Sequence, residues 1–212
     1  MAEYAIEFMK TDNKKIDEQV FNRVQLFHTD SVVCGISALA LKTNAPNILR
    51  DEAINLYSVN PDKRTKGTNL SKCLGSKLWV HAEKAIVANC SAVREWDANG
   101  TVFGYDSTIE GHNAGEFGHN DFYSVVIAAC QNNSIYSGKD ALKGMILLDE
   151  IRGRLAEVYS LKTFKIDHVV HGAIASAVTY GAMLGATPEQ IEHAVGMLVA
   201  HYIPWRAIRA GK

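Results

Sequence analysis

Apolar residues recur along this chain at spacings of three and four, the period of a helix rather than of a strand. One clear example is the segment ALKGMILLDEIRGRLAEVYS, with apolar side chains at Met145, Leu148, Ile151 and Leu155. Similar runs begin at IDEQVFNRV, SKLWVHAEK, FYSVVIAAC and HVVHGAIAS, and the first predicts one helix or two joined helices. No segment alternates apolar and polar residues over several positions. The pattern predicts an all-α fold without a sheet.

One helix boundary is marked residue by residue. In GATPEQIEHAVGML, Gly185 ends one helix and Thr187 is the predicted N-cap of the next. Pro188 suits the first helical position, and Gln190 completes a capping box with Thr187. A helix is therefore predicted to begin at this point.

Two stretches lack a helical pattern. The polar, turn-rich segment YSVNPDKRTKGTNLSKCLGS predicts a connecting loop. The segment DANGTVFGYDSTIEGHNAGEFG, residues 97–118, is too rich in glycine to be helical. A loop of this length in a compact domain is usually functional or disordered, and its aromatic residues argue against disorder.

Composition excludes several classes of protein. The chain has 212 residues, 47% hydrophobic and 21% charged, with a formal net charge of -1. This balance gives no reason to expect nucleic acid or a membrane surface as a partner. No apolar run approaches the roughly 18 residues that span a bilayer, and the N-terminus lacks the pattern of a secretory signal. Neither a P-loop nor another nucleotide-binding glycine motif occurs, so no nucleotide cofactor is predicted.

The cysteines are far apart in the sequence. No CxxC pair occurs, so the spacing does not support an iron–sulfur cluster or a structural zinc site. We predict buried free thiols and, by default, a reducing compartment, for Cys34, Cys73, Cys90 and Cys130.

A histidine stands where the glycine-rich loop meets an apolar run, in GEFGHNDFYSVV. If Asn120 or Asp121 caps a helix that begins near Phe122, His119 lies just outside the helix N-terminus. The positive end of the helix dipole would then favour neutral imidazole and attract a carboxylate. The alternative is a loop histidine bonded to nearby backbone, and the spacing alone favours that alternative.

Asp97 and Thr101 could reach the pocket of His119 if the loop folds back. A carboxylate beside a histidine sets its tautomer, or acts as a base itself when desolvated. Spacing alone slightly favours the alternative interpretation that Asp97 caps a turn and Thr101 begins the loop.

A second cluster, KIDHVVH, places Asp167, His168 and His171 at a predicted helix start. The two histidines have the spacing of metal ligands on one helix face, and His112 or His119 would complete a zinc or iron site. No known ligand motif supports that site. We instead predict a capped helix start with one functional and one structural histidine.

Arginines offer possible anion contacts. Arg206 or Arg209, near the C-terminus, could bind a substrate carboxylate in a bidentate contact, although solvated charge is the commoner role for terminal arginines. Arg152 and Arg154 are predicted on the exposed face of their helix.

Five segments in order, EWDANGT, GEFGHNDFYSVVIAA, EIRGRL, DHVVHGAIASAV and IPWRAIRAGK, resemble the MmgE/PrpD family, most closely its fungal 2-methylcitrate dehydratases. The resemblance runs through residues 1–212 and implies the family's N-terminal helical domain, without its α+β lid. The family pattern of an aspartate, a threonine four residues on and a histidine opening a helix matches Asp97, Thr101 and His119. A downstream family histidine matches His168.

The chain departs from the family pattern in two respects. His119 is followed by Asn-Asp where the family has Pro-Ser, and the preceding loop is longer than in the bacterial and decarboxylase branches. Family members also run to more than twice this length. The resemblance therefore implies an N-terminal part of an enzyme, with the family's active-site lysine lying beyond Lys212.

The resemblance implies dehydration of 2-methylcitrate, a small tricarboxylate, to 2-methyl-cis-aconitate in the methylcitrate cycle. It implies a homodimer that uses no metal or other cofactor. The expected compartment is the mitochondrial matrix, or the cytoplasm if no presequence was removed. The implied catalytic residues are Asp97, His119 and His168, and the implied substrate-binding residues are Thr101, Asn99 and Arg206.

Three alternatives stay open. A cis-aconitate decarboxylase of the same family would use the same helical scaffold. A non-catalytic helical fragment could dimerise through exposed apolar surface. A metal-dependent hydrolase would use His168 and His171.

Overall fold

The computed structural model describes residues 1–63, 68–104, 108, 116–133 and 135–205. Helices dominate this part of the chain, which confirms the all-α prediction. The α-helices are α1 (Ala2–Lys10), α2 (Glu18–Ala40), α3 (Asn44–Tyr57), α4 (Ala82–Arg94), α5 (Tyr123–Asn132), α6 (Gly138–Val158), α7 (Val169–Met183) and α8 (Pro188–His201). Short 3-10 helices cover Asn13–Lys15, Pro61–Lys63, Asn120–Phe122 and Leu161–Phe164.

Two short pairs of strands interrupt the helices in the described part of the chain. β1 (Leu70–Ser71) pairs antiparallel with β2 (Val80–His81), and β3 (Gly100–Phe103) pairs with β4 (Glu116–His119). The expectation of no sheet is therefore wrong in these places, and so is that of a plain connecting loop around Leu70. Strands of two to four residues are too short to show the alternation by which a strand is recognised.

The chain forms two compact units. Unit 1 comprises Met1–Asp17, Gly100–Gly118 and Lys143–Lys212, and unit 2 comprises Glu18–Asn99 and His119–Leu142. Each unit is discontinuous in sequence, and its segments come together through helix packing described below.

In unit 2, α4 packs against α2, α3 and α5. The contacting face of α4 carries small buried side chains, including Ala85 and Ala88, which let neighbouring helices approach closely. The side chain of Asn89, on the same helix, accepts from the amide of Leu74 at 2.8 Å and donates to the carbonyl of Lys72 at 3.0 Å. This amide ties the segment after β1 to α4 and satisfies backbone groups that would otherwise be unpaired.

A sharp bend separates α2 from α3. Lys42 adopts a positive φ of 55° in the turn, and the two helix axes differ by 88°. Among the described residues no single helix is long and apolar enough to cross a membrane, and α2 and α3 reach that length and composition only when counted together.

In unit 1, α1, α7 and α8 pack together. The predicted capping box at the start of α8 is confirmed: Thr187 Oγ1 accepts from the amide of Gln190, and Gln190 Oε1 accepts from the amide of Thr187. Lys143 is buried and donates from Nζ to the carbonyls of Met9 and Thr11. A cation at the C-terminus of α1 complements the carbonyl end of that helix.

The prediction that Arg152 is exposed is wrong. Its side chain is buried, and its guanidinium carbon lies 4.4 Å from the ring centroid of Phe103, which is a cation–π contact. A Cβ at Gly118 would collide with this guanidinium. Arg154 is exposed as predicted, with ion pairs to Glu150 and Glu157.

All four cysteines are free, as predicted. Only Cys73 is fully buried among them, and the other three are half-buried. Burial raises the pKa of Cys90 to about 12 and that of Cys130 to about 11. These thiols therefore stay protonated at neutral pH.

The close approach of β3 to α6 in unit 1 generates a stability prediction. Gly104 has a φ of +68°, and a Cβ there would lie 2.7 Å from the carbonyl oxygen of Gly153. We expect Gly104→Ala to lower the free energy of unfolding by at least about 2 kcal/mol, through steric conflict and backbone strain. Denaturant titration followed by circular dichroism measures this change.

Gly196→Ala is the matched control. Gly196 lies inside α8, and a Cβ there meets no atom within 4 Å among the described residues. We expect this variant to stabilise the protein by about 0.5–1 kcal/mol. Equal effects of the two substitutions would contradict the packing described for Gly104.

Candidate active site around His119

His119 ends β4 and stands immediately before a helix. Its backbone is extended, with φ −118° and ψ 161°, and the 3-10 helix Asn120–Phe122 leads from it into α5 at Tyr123. The predicted helix start near Phe122 is therefore correct to within one residue. The side chain of His119 is buried.

Asn120 anchors this turn instead of capping it. Its side-chain Nδ2 donates to the carbonyl of Phe27 in α2, and its Oδ1 accepts from Nδ2 of Asn99 at 2.5 Å. Its own carbonyl accepts from the hydroxyl of Ser31 at 3.4 Å. Both ends of the amide are thus engaged within unit 2, and the backbone beside His119 is fixed to α2.

Asp97 follows the end of α4 in a left-handed backbone conformation, with a φ of 54°. Its amide donates to the carbonyl of Arg94 at 3.1 Å. Aspartate tolerates this conformation better than most residues, because its short side chain can hydrogen-bond locally. The tight turn directs the carboxylate back toward α4 and toward His119.

The Asp97 carboxylate is shared by two partners. Its Oδ1 lies 2.5 Å from Nε2 of His119 and also contacts Nη1 of Arg94. The imidazole is almost fully buried, whereas the carboxylate is 62% exposed. The structure therefore brings Asp97 and His119 together, as the folded-back loop required, and adds Arg94 to the pair.

The charges around the pair act in opposite directions. Burial lowers the pKa of His119 and the Arg94 charge lowers it further, while Asp97 and Asp121 raise it, and the net shift is downward. Partial burial raises the pKa of Asp97, but the hydrogen bond and charge of Arg94 outweigh it, with help from His119, so the pKa is lowered. At neutral pH the pair is a neutral imidazole beside a carboxylate.

The lowered pKa of His119 has a consequence for stability. As the pH falls below about 6.5, the unfolded imidazole takes up a proton before the folded one does. The contribution of neutral His119 is thus fully present above this pH and is lost as the pH falls toward the folded-state pKa.

Sequence reasoning missed Arg94. Its only signal was a cation three residues before an aspartate, in the last turn of a helix. Many surface pairs share that spacing, and only the turn at Asp97 makes it a contact with the buried histidine.

Asn99, predicted to bind substrate, is buried. Its Nδ2 donates to the carbonyl of Val93 at 3.3 Å and to Oδ1 of Asn120. The amide nitrogen is therefore engaged in hydrogen bonds within the protein. Its Oδ1 has no hydrogen-bond partner within the part of the chain that the structure describes. The predicted substrate contact of Asn99 stays a prediction, with Oδ1 as the atom that could make it.

Thr101 and His168 lie in unit 1. Thr101 is an exposed residue of β3. His168 is the N-cap residue of α7, is buried, and has Nδ1 3.5 Å from Oδ1 of Asp167. The same carboxylate accepts from the amide of Val169 at 3.1 Å, at the start of α7, whereas the N-cap residue His168 makes no side-chain capping bond. The catalytic role of His168 stays a prediction.

His171 is buried and packs edge-on against the ring of Tyr159, with centroids 5.1 Å apart. The described residues contain no group of three potential metal ligands. His112, Arg206 and Arg209 lie outside the described residues, so their predicted roles have no structural description.

The Asp97–His119 contact generates a prediction for the histidine. Asp97→Asn keeps a residue that tolerates the left-handed turn but removes the negative charge. Since that charge favours the imidazolium, we expect the pKa of His119 to fall further. Titration of the ring protons by NMR measures the change, with the signal assigned by its absence in His119→Gln.

Asp51→Asn, on α3, is the control, because Asp51 is exposed and its ion pair is with Arg50. It should leave the His119 titration unchanged. A His119 pKa that stayed the same or rose in Asp97→Asn would exclude an electrostatic action of this carboxylate on the ring.

Comparison with models of known families finds a match to this chain. The model of the MmgE/PrpD N-terminal domain matches residues 1–212. That family includes dehydratases and related enzymes. Together with the helical fold, the match establishes that this chain belongs to the MmgE/PrpD family.

Proposed function

We propose that this chain carries catalytic residues of a hydro-lyase that dehydrates 2-methylcitrate to 2-methyl-cis-aconitate. The observation that carries the proposal is the buried neutral imidazole of His119 held beside the Asp97 carboxylate. Membership of a family that includes dehydratases supports the reaction class. The sequence resemblance to fungal 2-methylcitrate dehydratases supports the substrate.

The reaction needs one base and one acid. The base removes a proton from the carbon beside a carboxylate, and the electrons of that C–H bond form the new double bond. The departing hydroxyl leaves the neighbouring carbon, takes a proton from the acid and becomes water. General acid–base groups contribute about 10²–10⁴-fold each to such a reaction.

His119 suits one of these two roles. Its lowered pKa keeps the ring neutral at neutral pH, so it can accept a proton. Asp97 then stabilises the imidazolium that forms, since its Oδ1 faces Nε2. We propose His168 as the second acid–base group, on the support of the family resemblance.

Substrate binding requires partners for three carboxylates. Thr101, Asn99 and Arg206 remain our proposed contacts. Only Asn99 and Thr101 lie among the described residues. We further propose metal-independent chemistry in a mitochondrial homodimer, on the support of the resemblance alone.

The central test is turnover of 2-methylcitrate, followed as the ultraviolet absorbance of the conjugated product. We expect turnover when this domain is joined to the lid domain of a family dehydratase, and in that protein we expect His119→Ala to reduce kcat by about 10²–10⁴-fold. His193→Ala is the matched control, because His193 lies on the exposed face of α8. That variant should retain wild-type kcat.

The same preparation should be offered cis-aconitate, with release of carbon dioxide as the readout. Carbon dioxide without 2-methylcitrate turnover would replace the dehydratase assignment by a decarboxylase one. Near-normal dehydration by His119→Ala would show that His119 is not an acid–base group of this reaction.

A further inference from the structure

We propose that Arg94 is a positioning residue, whose guanidinium holds the Asp97 carboxylate ionised and in place against His119. The family pattern matched by Asp97, Thr101, His119 and His168 does not include this arginine. The inference rests on the proposed function, because it assigns Arg94 a role in the acid–base chemistry of His119.

The geometry links Arg94 to the turn at two points. The Arg94 carbonyl accepts from the Asp97 amide at 3.1 Å, and its Nη1 contacts Oδ1 of Asp97. Main chain and side chain of one residue therefore hold both the backbone and the carboxylate of Asp97. Asp97 has a left-handed φ, which is less favourable for a non-glycine residue than the α or β regions. The two contacts with Arg94 therefore stabilise this turn against a change to a more favourable backbone conformation.

The shared oxygen decides which group Arg94 acts on. Oδ1 of Asp97 contacts Arg94 on one side and lies 2.5 Å from Nε2 of His119 on the other. Oδ1 is therefore the atom through which the guanidinium can act on the imidazole. Loss of the guanidinium leaves a 62% exposed carboxylate with one partner fewer, free to turn toward water.

The described residues place further titratable groups in this region of unit 2. Asp121, in the 3-10 helix that follows His119, favours the protonated ring, as Asp97 does. From α4, Cys90 donates to the carbonyl of Asp121 and stays neutral, with its pKa raised to about 12. From α2, His28 packs edge-on against Tyr123, and burial lowers its pKa. Arg94 is therefore the cation that opposes protonation of His119 in the described surroundings.

The test compares Arg94→Gln and Arg94→Lys in the 212-residue protein by NMR titration of the His119 ring. Removing the positive charge of Arg94 raises the pKa of His119, whereas releasing the Asp97 carboxylate lowers it. We therefore expect Arg94→Gln to raise the pKa of His119 less in the wild-type protein than in an Asp97→Asn background. Arg94→Lys keeps the charge and should restore a pKa below the ordinary value. Arg154→Gln, which removes an exposed guanidinium from α6, should leave the titration unchanged.

The kinetic arm separates positioning from substrate binding. We expect Arg94→Gln to lower kcat for 2-methylcitrate by up to about 100-fold, as misplacement of a catalytic group does, with little change in KM. We expect partial recovery in Arg94→Lys. Adding Arg94→Gln to Asp97→Asn should not lower kcat further, because Arg94 acts through the carboxylate.

Two results would overturn the proposal. One is a shift of the His119 pKa by Arg94→Gln that is the same in the wild-type and Asp97→Asn backgrounds. The other is a raised KM with unchanged kcat, which would make Arg94 a substrate-binding residue. If the wild-type domain joined to a family lid domain fails to turn over 2-methylcitrate, the proposed function fails, while the titration of the 212-residue protein still decides whether Arg94 acts on His119 through Asp97.

Discussion

The candidate site depends on the buried amide of Asn120. This side chain joins three segments of unit 2: the turn before α5, the carbonyl of Phe27 in α2, and Asn99 in the loop after α4. Leaving a buried polar group unpaired costs about 1–3 kcal/mol. Loss of one of these hydrogen bonds would therefore leave a buried partner unpaired and destabilise the others. They hold the backbone of His119, and through Asn99 they hold the chain just beyond Asp97. These neutral hydrogen bonds position the backbone around the pair, and the Arg94 guanidinium contacts the carboxylate that faces the imidazole.

What the sequence predicts well is local. The capping box of α8 and the position of His119 before α5 follow from residues within one helical turn of each other. Arg152 could not be placed in this way, because Phe103, which covers it, is 49 positions away. Nor could Arg94, although its partner is close in sequence, since their contact needs a left-handed residue that no apolar pattern encodes.

Resemblance to a family motif does not assign the same kind of role to every residue in it, as the Asp-x-Asn-x-Thr motif of Asp97, Asn99 and Thr101 shows. Asp97 and Asn99 belong to unit 2, whereas Thr101 belongs to unit 1. Within unit 2 the motif residues also differ in kind. The carboxylate of Asp97 contacts the imidazole of His119, while the amide nitrogen of Asn99 donates hydrogen bonds to Val93 and Asn120. The sequence of the motif does not show this difference between the Asp97 carboxylate and the Asn99 amide nitrogen, which only the contacts reveal.

The left-handed turn at Asp97 limits which sequences can encode this site. Glycine and asparagine satisfy the backbone at that position but provide no carboxylate. Glutamate provides the charge but lacks the local tolerance for positive φ and carries an extra methylene group. The demands of conformation and of charge therefore converge on a single amino acid. Evolutionary change in reactivity would then have to come from neighbouring positions such as residue 94, leaving residue 97 as it is.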